Sequence, residues 1–156
     1  MAQQESDANP EGGIQAERPA LRLFVDTSAW FALYYQQDHA HPAAARFWRD
    51  LRRRPARLTT SDYVLDETVT LVRARGGHGA ARSLGDLLLK TKVVDLAEVS
   101  SQVRDQAWEL FVRHDDKDFS FTDCTSFVIM QTLGLTDAFA FDEHFAQMGF
   151  RLWPHL

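Results

Sequence analysis

The chain has 156 residues, 45 % of them hydrophobic and 12 % aromatic, which is enough for one domain with a packed core. No apolar stretch approaches the roughly 18 to 20 residues of a membrane span, and the start lacks the basic-then-apolar order of a secretory leader, so a cytoplasmic protein is expected. The single cysteine, Cys124, excludes an internal disulfide and any multi-cysteine zinc site, and a net charge of -5 argues at first against a nucleic-acid partner.

That charge is unevenly spread. Residues 1–20 hold Glu5, Asp7, Glu11 and Glu17 against Arg18 alone and have almost no large apolar side chain, so they read as a flexible tail. Residues 21–156 read as one domain that carries the remaining -2 of charge. A first strand is expected at 21–25, where Leu21-Arg22-Leu23-Phe24-Val25 closes on Asp26. Helices follow at 28–37 and 40–54. The second of these, with the turn after it, carries Arg46, Arg49, Arg52, Arg53, Arg54 and Arg57. Such a cluster could line a phosphate backbone, with Arg49, Arg53 and Arg57 as the RNA-binding candidates, or it could be a solvated helix face.

Beyond the arginines, a strand is expected at 57–60 and a helix at 62–75. Gly76-Gly77-His78-Gly79 lacks the Gly-Lys-Ser/Thr ending of a phosphate-binding loop and reads as a break before a helix at 79–91. A strand at 92–96, helices at 99–114 and 122–133, and strands at 137–141 and 150–153 complete the chain. Strands alternating with helices argue for an α/β domain whose parallel sheet is covered on both faces. Ligands of such sheets collect at the carboxyl ends of the strands, where strand order reverses, and Asp26 and Asp142 both fall at such ends.

Four acids therefore stand out: Asp26, Glu67, Asp123 and Asp142. Each has a structural alternative. Asp26 can cap the following helix, Asp142 can serve a turn, and Asp123 lies three residues after Ser120, as in a capping box. Helical phase separates Glu67 from Asp66: with Val64, Leu65, Thr68, Leu71 and Val72 facing inward, Glu67 lies at the edge of that face and Asp66 points away into solvent. Asp123 lies in line with Phe127 and Met130 on an apolar face, where an unpaired carboxylate is costly unless a cation and the helix dipole compensate it. Two carboxylates about 4 Å apart repel by roughly 4 kcal/mol at an effective dielectric near 20. Oxygen donors brought together in this way fit magnesium or manganese, and those ions fit chemistry on a phosphate. The six histidines show no HExxH or similar spacing and read as surface or turn residues. Cys124 reads as a buried thiol.

Phe24-Val25-Asp26-Thr27-Ser28-Ala29-Trp30, Asp66-Glu67-Thr68, the run from Ser120 to Phe127, and Phe141-Asp142-Glu143-His144-Phe145 followed by Gly149-Phe150 occur in this order across nearly all of residues 21–156. In that order they resemble the PIN domain family, and most of all the VapC-type ribonuclease toxins of bacterial toxin-antitoxin pairs. The resemblance implies a three-layer fold with a five-stranded parallel sheet and an acidic pocket for Mg2+ or Mn2+. It puts Asp26, Glu67, Asp123 and Asp142 at the metal-binding positions, supported by the hydroxyls of Thr27 or Ser28, with Asp118 and Thr122 as weaker candidates. It further implies a homodimer, inhibition by a small antitoxin, and cleavage of single-stranded RNA to leave 5′-phosphate ends, one or two cations activating water. Two alternatives stay open from the sequence. One is a catalytically silent PIN scaffold that binds RNA or protein. The other is a magnesium-dependent phosphatase, although Ser28 stands where the haloacid-dehalogenase type needs a second aspartate.

Overall fold

The computed structural model describes residues 19–155, so the expected tail lies, up to Arg18, outside the described residues. In chain order the elements are β1 (Leu21–Val25), α1 (Thr27–Tyr34), α2 (His41–Leu51), β2 (Ala56–Ser61), α3 (Asp62–Lys90), β3 (Val94–Ala97), α4 (Ser101–Arg113), α5 (Phe121–Leu133), β4 (Asp137–Phe139), α6 (His144–Gln147) and β5 (Arg151–Trp153). The strands form one sheet in the order β3-β2-β1-β4-β5, with every neighbouring pair parallel. From β1 the chain steps outward through β2 to β3, then returns to add β4 and β5 on the other side. Strand order therefore reverses between β1 and β4.

Strands that are buried on both faces need apolar side chains on both, which is why Leu23, Phe24 and Val25 run together and are all fully buried. On one face Phe24 stacks on Phe145 of α6, and Phe145 in turn meets Phe127 of α5 edge to face at 5.1 Å. On the other, Phe139 meets Phe47 of α2 at 4.8 Å, and Trp30 of α1 reaches across β1 and β2. The Trp30 indole donates to Thr60 Oγ1, whose hydroxyl donates to the Val25 carbonyl 2.8 Å away. Thus α1, α2 and α3 cover one face, and α4, α5 and α6 the other.

Serine opens three of the helices. Ser61, Ser100 and Ser120 each accept a hydrogen bond from the third backbone amide of α3, α4 and α5 respectively. Gly134 closes α5 with φ 63°, a left-handed cap that a side chain disfavours. The break expected at 76–79 is a bend: Gly77, at φ 87°, divides α3 into two arms. Several elements are shorter than the sequence implies; the helix expected at 28–37 ends at Tyr34, where Tyr35 turns extended. The helix expected at 40–54 ends at Leu51, because Pro55 disfavours helical geometry in the residue before it and the last turn tightens, Arg53 N–H bonding the Asp50 carbonyl. The strand expected at 137–141 ends at Phe139, because Phe141 N–H donates to Ser28 Oγ rather than to a neighbouring strand.

Thr60→Val removes the hydroxyl shared by Trp30 and Val25 while keeping its volume. It should cost about 1–3 kcal/mol in chemical denaturation, since a buried indole N–H loses its partner. A loss well below that range would show that the pair contributes nothing net.

Candidate metal centre

The reversal between β1 and β4 leaves a crevice beyond their carboxyl ends, and four elements project acids toward it. Asp26 follows β1 directly, and its N–H donates to the Phe139 carbonyl of β4, so the crevice and the sheet edge are joined by a backbone bond of 3.0 Å. As N-cap of α1, its Oδ2 accepts from Ser28 N at 3.0 Å and from Ser28 Oγ at 2.6 Å. Ser28 Oγ also accepts from Phe141 N at 3.0 Å and so ties the first carboxylate to the loop that carries Asp142.

Asp123 is the third residue of α5, and the capping box does hold it: its Oδ2 accepts from Ser120 N and its N–H donates to Ser120 Oγ, both at 3.0 Å. The structural role does not exclude a functional one, since the same oxygen also meets His144. His144 Nδ1 lies 2.9 Å from Asp123 Oδ2 and 3.1 Å from Asp142 Oδ2, while His144 N–H donates to Asp142 Oδ1 at 2.9 Å. A histidine read from sequence as a surface or turn residue is therefore half-buried between two carboxylates. Ligand spacing on one helix was the wrong signal, because its partners lie on α5 and in the β4–α6 loop. Asp123, Asp142 and His144 offer ligand atoms that all lie within 4.8 Å of one another.

Glu67 lies on the rim, in the second turn of α3 and exposed. Burial raises its pKa, the nearby Thr122 hydroxyl pulls it down, and the negative charges of Asp123 and Asp142 push it up again. That coupling places Glu67 within the field of the cluster; Asp66 beside it is exposed too, and its charge also pushes Glu67 up. Asp118 is exposed, and no hydrogen bond or ion pair joins it to the cluster among the described residues. Arg53 and Arg57 lie at the other end of the sheet: Arg57 pairs in register with Arg22 near the start of β1, and Asp26 follows its far end. Five strand residues separate these ends by about 16 Å.

Electrostatics make the cluster costly as it stands. Asp26 is 3 % exposed, and its pKa is pushed up from 3.8 to about 7, mainly by burial, against the pull of the Ser28 hydrogen bonds and with the help of the Asp123 charge. Burial also raises Asp123, opposed by the Ser120 amide and His144. Thr27 Oγ1, beside Asp26, is a buried hydroxyl with no hydrogen-bond partner among the described residues. A set of carboxylates that resists ionising and an orphaned hydroxyl next to it fit a hard divalent cation with its waters: the ion offsets the repulsion, and a water can meet the hydroxyl. A groove of about 670 Å³ lies elsewhere, between the two arms of α3. A smaller one of about 440 Å³, lined by Ser28, Asp38, Asp142 and His144, adjoins the acids.

This site has known counterparts. Residues 23–151 match the model of the PIN domain. The chain belongs to the PIN domain family. It is 43 % identical over 128 residues to the 23S rRNA-specific endonuclease VapC20 of Mycobacterium tuberculosis, in strains CDC 1551 / Oshkosh and ATCC 25618 / H37Rv alike, over 82 % of this chain and 95 % of the relative. The crystal structure of that species' VapC20, described as a sarcin-ricin loop cleaving toxin, matches with a TM-score of 0.77 at 41 % identity, over 82 % of this chain and 95 % of that one. VapBC2 from Rickettsia felis, bound to a DNA fragment from its promoter, shares the fold alone: TM-score 0.63 at 12 % identity, over 85 % of this chain and 97 % of that chain. The three-layer parallel architecture expected from the sequence is thus that of the family.

A carboxyl raised from 3.8 to about 7 keeps its proton in the folded protein over a range where the unfolded chain has lost it. Its contribution to stability is present in full below pH 3.8 and is lost as pH rises toward 7. Metal-free protein should therefore lose stability across that window, and a cation that displaces the proton should restore it. Excess Mn2+ should raise the thermal midpoint by several degrees more at about pH 8 than at about pH 5. Equal gains at both values would show that these carboxyls do not take the ion.

Proposed function

We propose that the chain is a metal-dependent endoribonuclease that cuts single-stranded RNA, the toxin of a type II toxin-antitoxin pair acting in the cytoplasm. The observation that supports this reading is the grouping of Asp123, Asp142 and His144 within 4.8 Å of one another, with the charge of Asp123 acting on buried Asp26, in a chain of the PIN family. Asp26, Asp123, Asp142 and Glu67 are the residues that would hold Mg2+ or Mn2+, with His144 between two of them. Held there, the ion would supply Lewis-acid charge for a phosphodiester and lower the pKa of an attacking water.

The residues of the chain do the rest. Ser28 fixes the Asp26 carboxylate and the Asp142 loop in one orientation, through its hydroxyl and amide. Ser120 fixes Asp123 at the start of α5, where the positive end of the helix dipole favours the ionised form. Thr27 Oγ1 remains to hydrogen-bond a water or a phosphate oxygen, and the Thr122 hydroxyl supports Glu67. Since the PIN relative is named for 23S rRNA and described as cutting its sarcin-ricin loop, we take a splayed-out loop of large ribosomal RNA as the substrate. The exposed Arg49, Arg53 and Arg57 would grip phosphates of the RNA body outside the cleft. A small antitoxin protein is the proposed inhibitor. A homodimer is supported by exposed Trp108, Phe111 and Val112, which give α4 an apolar face.

Asp26→Asn and Asp123→Asn should each lower Mg2+-dependent cleavage of ribosomal RNA by about 100-fold or more, because loss of even an outer-sphere partner costs 10- to 100-fold. Products should carry 5′-phosphate ends. A variant that cuts as fast as the parent would remove its residue from the site.

A further inference from the structure

The arginines lie where the chain enters the fold. Leu21 N–H donates to the Pro55 carbonyl at 3.1 Å, and β1 pairs in register with β2 from Leu21 opposite Ala56 and Arg22 opposite Arg57. The described chain therefore begins beside the turn that carries Arg52, Arg53 and Arg54. Arg46, Arg49, Arg52, Arg53, Arg54 and Arg57 are all exposed, and among the described residues none has a carboxylate within 4.0 Å. Arg54 alone has a fixed partner, the ring of Trp153 at 5.9 Å. Asp50 is the acid of α2 in this region and pairs with none of the six. Six positive charges thus lie along α2, the turn after it and the start of β2 without an ion pair among the described residues, Asp95 of β3 sharing a groove with Arg57 alone of the six.

The segment attached at this point has the opposite sign. Residues 1–18 carry Glu5, Asp7, Glu11 and Glu17 against Arg18. Fully extended, they reach at most about 60 Å, so length does not limit where they lie, and tethering holds them at a high local concentration over the patch. The acidic crevice about 16 Å away, at the other ends of the strands, repels the same segment.

We propose that the acidic segment 1–18 docks on the arginine patch of its own chain, at the amino-terminal edge of the sheet. Each exposed pair is weak, so the association is loose and is screened by salt. Its consequence rests on the reading of the patch as a grip for RNA phosphate: the segment then competes with RNA, and only a substrate with enough phosphate density displaces it.

The test uses the full-length chain and two sets of exposed substitutions. One combines Glu5→Gln, Asp7→Asn, Glu11→Gln and Glu17→Gln; the other combines Arg52→Gln, Arg53→Gln and Arg57→Gln. Amide shifts of residues 2–18 in the 15N-labelled parent at low salt should differ from those at high salt, and the arginine substitutions should abolish the difference. Amide shifts that ignore both salt and the arginines overturn the docking. Affinity for a single-stranded poly-U oligomer, measured on an Asp123→Asn background so that the RNA stays intact, should rise about 3- to 10-fold when the four acids are neutralised, and the rise should vanish at high salt. Salt- and arginine-sensitive shifts with unchanged RNA affinity uphold the docking and overturn the RNA role of the patch instead.

Discussion

Two carboxylates, Asp26 and Asp123, are buried together where strand order reverses, and the surrounding structure exists to hold them there against their own repulsion. Burial drives both toward the neutral form, the charge of Asp123 adds to the cost of ionising Asp26, and that of Asp142 to the cost of ionising Asp123. Polar groups offset part of this. Ser28 gives Asp26 two hydrogen bonds, the Ser120 amide gives Asp123 one, and His144 spans Asp123 and Asp142. The remaining imbalance is one that a bound cation would offset.

The apolar core serves this arrangement by fixing the elements on which the acids stand. Phe24, next to last in β1, and Phe139, last in β4, are held in aromatic packing, one on each face of the sheet, which fixes the strand ends that the acids follow. α5 is buried along most of its length, which sets the depth of Asp123 in its first turn. Charge is then divided along the sheet: negative at the carboxyl ends of the strands, positive at the amino ends, roughly one strand length apart. An RNA that touches both must be long or folded enough to span that separation, which favours a structured substrate over a short oligomer.

Much of this was legible in the residues. The apolar run closing on Asp26 marked the end of β1 and alternation with helical stretches marked the parallel sheet, whereas the run before Asp142 overshot the end of β4 by two residues, and Glu67 and Asp66, which helical phase set apart, are both exposed. The capping box at Ser120 and Asp123 was legible too, though as a competing explanation; the structure shows Oδ2 of one residue serving both the cap and the cluster. What could not be read depends on contacts between distant segments. Strand β4 stops early because Ser28, 113 residues before Phe141, takes its amide. His144 meets Asp123 from 21 residues away, a spacing that no local motif encodes. The arginine run was visible as a charge cluster, but its position opposite the acids follows from strand direction and could not be read from spacing.

Diffraction from crystals grown with Mn2+, with data collected at the manganese absorption edge, asks the central question directly. An anomalous peak should appear in the β1–β4 crevice with carboxylate oxygens of Asp26, Asp123 and Asp142 roughly 2 Å from it or one water away. A crevice with no peak at saturating Mn2+, its aspartates still bonded only to Ser28, Ser120 and His144, would contradict the shared ion on which the chemistry rests.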